Sequence, residues 1–121
     1  MVHVIKICIT YQFLFFLLAP SSPLSFSYKE LAPNNFHGPR INLTWSRPAE
    51  SNGIIRNYIV FYANQEGETK QSVGGDTFSY LVDVLGGVTY HFYIGAVTVK
   101  PGQNASLSVK TNEYGMLCHR N

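Results

Sequence analysis

The chain has 121 residues, 45% of them hydrophobic and 13% charged, with a formal net charge of +2. That length suits one domain rather than two, and the apolar share is enough to bury a core, which argues against a disordered chain. Lys and Arg form no cluster, so neither a nucleic-acid surface nor a polybasic membrane patch is expected.

Residues 1–21 read MVHVIKICITYQFLFFLLAPS. His3 and Lys6 give a weakly basic start. Ile7 to Ala19 is apolar apart from Thr10 and Gln12; this run of about 13 residues is short of the ~20 that cross a bilayer. Ala19 and Ser21 are small residues suitably placed for a cut after Ser21. The layout is that of a secretory signal peptide. The expectation is a signal-like segment over 1–21, with an uncleaved signal anchor, or an N-terminus that does not belong to the fold, as the alternatives. Cys8 lies inside it. Once the segment is removed, Cys118 has no internal disulfide partner. Cys118 and His119 alone are too few for a structural zinc site, which needs four ligands. No cofactor or metal is expected.

From residue 22 onward the dominant period is two. Leu24, Phe26 and Tyr28 alternate with serines. Ile41, Leu43 and Trp45 alternate with Asn42 and Thr44. Tyr58, Val60 and Tyr62 alternate with Ile59 and Phe61. Lys70 to Val73 is a more polar strand candidate. Tyr80, Val82 and Val84 share one face of the next strand. Tyr90, Phe92, Ile94 and Ala96 share one face of a long strand, and Leu107 and Val109 share one face of the last. Turn residues separate these runs at Ala32–Asn35, Pro48–Gly53, Asn64–Gly67, Gly74–Asp76, Gly86-Gly87 and Pro101-Gly102. Short strands with regular turn signals predict an all-β, seven-stranded antiparallel β-sandwich of immunoglobulin-like type. Its expected core is Leu43, Trp45, Tyr58, Val60, Tyr62, Val82, Val84, Tyr90, Phe92, Ile94 and Ala96, each facing the opposing sheet.

The same residues resemble the fibronectin type III family from about Pro23 to Thr111. INLTWSRP over 41–48 is similar to that family's second strand, with its tryptophan and following proline. NGIIRNYIVFY over 52–62 resembles its NGxI turn and third strand. Val84 to Tyr90 is similar to the approach to its sixth strand, which places Tyr90 as the tyrosine-corner residue. The family usually has leucine at Val84 and proline at Gly86, and both departures are expected to loosen that corner. A narrower resemblance is to modules of receptor-type tyrosine phosphatase ectodomains, without any phosphatase domain. The resemblance implies a fibronectin type III-like domain over 22–112 and a short tail over 113–121. Such modules occur in tandem, so the chain looks like one repeat, or a truncated product, of a larger receptor or adhesion protein.

The sequence carries two glycosylation triplets, Asn42-Leu43-Thr44 and Asn104-Ala105-Ser106. The alternation that turns Leu43 and Trp45 inward turns Asn42 outward. Asn104 is read in a loop, Lys100 to Asn104, between the last two strands. Ile59, Phe61, His91, Tyr93 and Val97 all face away from the core and form a candidate protein-contact face. His37, His91, His119, Cys118, Asp76 and Asp83 could in principle do acid–base or nucleophilic chemistry. His91 and Asp83 fall on different strands, however, and no nucleophile elbow or phosphate-binding glycine loop accompanies them. The expected function is a non-catalytic extracellular interaction or adhesion module with a protein partner, secreted or on the outer side of the plasma membrane. Membrane attachment would come only through a parent protein or an uncleaved anchor. The alternative is a structural spacer without its own partner.

Overall fold

The computed structural model describes residues 18–114, and Cys8, Cys118, His119 and most of the signal-like segment lie outside them. Seven strands follow in order: β1 Leu24–Leu31, β2 Arg40–Ser46, β3 Asn57–Asn64, β4 Gly67–Gly74, β5 Ser79–Asp83, β6 Thr89–Val97 and β7 Pro101–Lys110. They form two antiparallel sheets, β1-β2-β5 and β4-β3-β6-β7, which make an all-β sandwich.

The period of two explains which side of each strand is buried. In β2, Ile41, Leu43 and Trp45 are buried while Asn42 and Thr44 between them are only half-buried. In β6, Tyr90, Phe92, Ile94 and Ala96 point into the core. Leu43, Tyr58, Val60, Val82 and Val84 complete the expected set of buried residues, and the structure adds Ile41, Ile55 and Val109. Tyr62 is a correction, since it is half-buried and packs against the core from its margin. Its ring lies 5.8 Å from Phe92. Its backbone partner Thr69 is on the edge strand β4, where the sandwich is covered on fewer sides.

At the centre, the Trp45 and Tyr58 rings meet at 5.6 Å, and Tyr58 meets Phe78 edge-on at 5.9 Å. Aromatic pairs at such angles add to the burial itself. The Arg47 guanidinium covers the Phe78 ring at 5.3 Å and reaches Asp76 at 3.1 Å.

β1 departs from simple alternation. Its register with β2 shifts between Leu24 and Ser27, and Ser25 has a φ of 54°. A bulge of this kind breaks the parity of a strand. Leu24, opposite Ser46, is therefore turned out while Phe26 packs on the core; Tyr28 pairs with the inward Leu43 but stays exposed on the edge strand.

The packed unit is wider than residues 22–112. Ahead of β1, Pro20 is fully buried. Asn52 Nδ2 donates to the Ala19 carbonyl at 2.9 Å, Ser21 N to the Glu50 carbonyl at 2.9 Å, and Gln103 N to the Pro20 carbonyl at 3.2 Å. Beyond β7, Asn112 N and the Tyr114 hydroxyl both donate to Glu30 Oε2 at 2.8 Å.

The corner before β6 is closely held. Leu85 N donates to the Tyr90 hydroxyl at 2.9 Å. The buried Thr111 hydroxyl donates to the Leu85 carbonyl at 2.6 Å and accepts from Val88 N at 3.0 Å. Gly86 does not leave a slack turn. A Cβ there would come within 2.8 Å of the Asn112 carbonyl, so the bare glycine lets the chain after β7 pack against it.

Candidate interaction face

β3 and β6 are the central strands of the four-stranded sheet, so their outward side chains have neighbours on both flanks. The backbone register sets three rows across this face. Asn57 pairs with Val97, and Val97 with Pro101. Ser72, Ile59, Gly95 and Asn104 form the second row, and Lys70, Phe61, Tyr93 and Ser106 the third. Ile59, Phe61, Tyr93 and Val97 come together as expected, and each is half-buried by its neighbours. His91 belongs to the same face but lies one row further on, opposite Ala63, and is exposed.

The Phe61 and Tyr93 rings lie 5.4 Å apart, tilted by 32°. Lys70 Nζ stands 5.9 Å above the Phe61 ring, within reach of a cation–π contact. Asn57 Nδ2 donates to Ser72 Oγ at 2.9 Å on the rim. Between the aromatic pair and Pro101 the surface dips into a groove of about 590 Å³, lined by Ile59, Phe61, Lys70, Gly95, Val97 and Asn104 among others. Gly95 opens the dip, because it presents no side chain in the middle of the sheet. Aliphatic and aromatic walls with a few polar groups are typical of contact surfaces.

Three features of this face were not expected from the sequence. The first is the Gly95 notch, which pairing reveals only once its neighbours are known. The second is the position of Asn104, which lies within β7 and not in a loop; the connection is the shorter Thr98-Val99-Lys100. The third is a bulge. Val97 pairs with Pro101, but Gly95 pairs with Asn104, so Gly102 and Gln103 together stand opposite Ala96. Without that extra residue, Gln103 would face Gly95 and Asn104 would point into the core. The bulge re-aims the strand, and Asn104 ends up exposed with its Oδ1 where a Gly95 Cβ would be.

The other candidates are dispersed. Asn42 is half-buried in β2, between Lys29 of β1 and Leu81 of β5, on the outside of the other sheet. Asp83 ends β5 and His91 lies in β6, so they sit in different sheets. His37 belongs to the β1–β2 connection, where Asn34 Oδ1 accepts from the Phe36 and His37 backbone N–H groups at 2.8 Å. Among the described residues, no three His, Cys, Asp or Glu side chains are grouped to hold a metal ion.

No family model matches the sequence, and no curated protein sequence does. Solved structures do match. The fn3 domain of the human collagen alpha-1(XX) chain superposes with a TM-score of 0.62 at 18% identity, covering 78% of this chain and 88% of that one. This chain has a fibronectin type III-like fold. Domains d3-d4 of the rat CD45 extracellular region match this fibronectin type III-like module with a TM-score of 0.63 at 20% identity, over 78% of this chain and 51% of that one. A structure described as a myokine matches with a TM-score of 0.62 at 13% identity, over 78% of this chain and 100% of that one. In the fibronectin type III-like frame, Tyr90 and its bond to Leu85 form the tyrosine corner.

Proposed function

We propose that this module is an extracellular, non-catalytic interaction domain that binds a protein partner through the outer face of β4-β3-β6-β7. The observation that carries the reading is the groove over Gly95, walled by Ile59, Phe61 and Val97 and edged by Lys70 and Asn104. Apolar side chains gathered on the side of a sheet away from its core are what a contact surface requires. Fold neighbours from a collagen chain and from the CD45 extracellular region support the compartment. The narrower resemblance, to receptor-type tyrosine phosphatase ectodomain modules, rests on the sequence motifs alone.

The test pairs Phe61→Ser with Tyr93→Ser in one variant. Losing this cross-strand pair costs roughly 1 kcal/mol, so the fold should survive, as judged by circular dichroism and urea titration. Labelled wild-type protein should bind mammalian cell surfaces saturably, or associate with itself in sedimentation, and the variant should do so much more weakly. Equal behaviour of the two proteins would remove the face from consideration. The compartment is tested by the intact mass of protein secreted from mammalian cells before and after N-glycan removal. A secreted species that loses mass supports the extracellular reading, while an unglycosylated chain retained in the cell contradicts it.

A further inference from the structure

The groove and one of the two glycosylation triplets occupy the same place. Asn104 lines the groove, its side chain is exposed, and its Oδ1 sits over Gly95 at the groove's floor. The bulge at Gly102-Gln103 brings it there, since unbroken pairing would have turned Asn104 into the core. A sugar joined to Asn104 is therefore attached at the groove itself and not on a loop clear of it.

We infer that N-glycosylation of Asn104 regulates the contact face: the first N-acetylglucosamine residues lie in the groove, cover Ile59, Phe61 and Val97, and close the face to a protein partner. The chemistry fits this occupant. N-acetylglucosamine has an apolar ring face that stacks on aromatic and aliphatic side chains, which Phe61, Ile59 and Pro101 supply. Its hydroxyl and acetamide groups need polar partners, and Lys70 and the Asn57–Ser72 pair stand on the rim. A groove of about 590 Å³ is in the range of small-ligand sites. The attachment is a covalent tether, so the local sugar concentration is high even where each contact is weak. Asn42 lies on the opposite sheet, between Lys29 and Leu81, and its occupancy leaves the face open.

This inference rests on the extracellular reading, and the experiment separates the two. The full chain and its Asn104→Gln variant are expressed in mammalian cells, and glycopeptide mapping reads occupancy at Asn42 and Asn104. Hydroxyl-radical footprinting then compares oxidation of Phe61 and Tyr93 with that of Tyr28 and Phe36, which are exposed elsewhere. The expected result is several-fold slower oxidation of Phe61 in the glycosylated protein than in Asn104→Gln, with Tyr28 and Phe36 unchanged. Matching near-ultraviolet circular dichroism of the two proteins excludes a folding difference as the cause. If Asn42 carries sugar and Asn104 does not, the compartment stands and the inference fails. If Asn104 carries sugar and Phe61 oxidises equally in both proteins, the inference fails too. A secreted chain without sugar at either position defeats the inference alone, and an unglycosylated chain retained in the cell overturns the extracellular reading as well.

Discussion

The carbonyl oxygen of Pro20 stands where a Cβ on Gly102 would be, and it accepts the Gln103 backbone N–H at 3.2 Å. Gln103 belongs to the bulge in β7, so the N-terminal segment satisfies a donor that the sheet ladder leaves over. The geometry of the groove thus depends on a residue at the start of the described chain. A protein beginning at Ser22 loses the bonds made by Ala19, Pro20 and Ser21. These include the Ser21 hydroxyl bonds with Glu50, so at about 1 kcal/mol for each net hydrogen bond it should be some 3–5 kcal/mol less stable than one beginning at Leu18. Gly102→Ala should destabilise the longer protein by about 1–3 kcal/mol through overpacking, and the shorter one hardly at all. Urea titration of the four proteins measures this coupling. Additive effects would mean that Pro20 does not press on Gly102.

Two buried tyrosines should respond oppositely to the loss of a hydroxyl. The Tyr90 hydroxyl accepts from Leu85 N at the corner before β6. Tyr90→Phe leaves that partly buried N–H without its acceptor and should cost about 1–3 kcal/mol. The Tyr58 hydroxyl is buried and makes no hydrogen bond within the described structure. Tyr58→Phe should therefore leave stability unchanged or raise it by up to about 1 kcal/mol. Denaturant midpoints of the two variants decide the matter, and a loss at Tyr58 comparable to that at Tyr90 would contradict the assignment.

The sandwich was legible in the sequence because its signals are local. Strict alternation in INLTW and YIVFY, set off by Asn-Gly and Gly-Gly turns, fixes which side chains face inward, and parity then turns Ile59, Phe61 and Tyr93 outward. What escaped depends on distant partners. Ile55 is buried although it precedes β3, because the turn folds it under the sandwich. The β7 bulge is held by Pro20, more than eighty residues earlier, and so Asn104 read as a loop residue. Tyr62 has the pattern of a core residue, but the edge strand beside it leaves it half-covered. The candidate face was visible as a list of outward residues, while its groove became visible only through the register that places Gly95 between Ile59 and Asn104.

Two tyrosines, Tyr58 and Tyr62, give the fold an alkaline limit. Burial raises the Tyr58 pKa above its ordinary 10.0, with nearby Arg47 opposing the shift. Burial also raises that of Tyr62, partly offset by a hydrogen bond with Thr69. Both groups are held neutral in the folded chain at pH values where the unfolded chain ionises them. Their contribution is complete below pH 10 and is lost as pH rises through the raised folded values. Stability measured by urea titration should be level approaching pH 10 and fall above it. Tyr58→Phe and Tyr62→Phe should each flatten the fall, and an unchanged slope in the double variant would place its origin elsewhere.

Introducing at position 86 the proline that fibronectin type III modules usually carry there should weaken this one. A proline Cβ, like any Cβ at this position, would stand 2.8 Å from the Asn112 carbonyl oxygen. That carbonyl is already fixed, because Gly87 N donates to it at 2.9 Å, while Asn112 N is tied to Glu30 at 2.8 Å. To admit the ring, the chain after β7 must move and loosen its hold on β1. Gly86→Pro and Gly86→Ala should both lower stability by about 1–3 kcal/mol. The proline substitution restricts the unfolded chain more than alanine does, which offsets part of its loss by roughly 0.4–1 kcal/mol. Removing the Glu30 anchor should relieve the clash, so Gly86→Ala should cost less in a Glu30→Ala background, which has no acceptor for Asn112 N, than alone. Thermal or urea unfolding of the double-mutant cycle reads this directly. An increase in stability on introducing proline would mean that the chain after β7 yields freely and does not seal the corner.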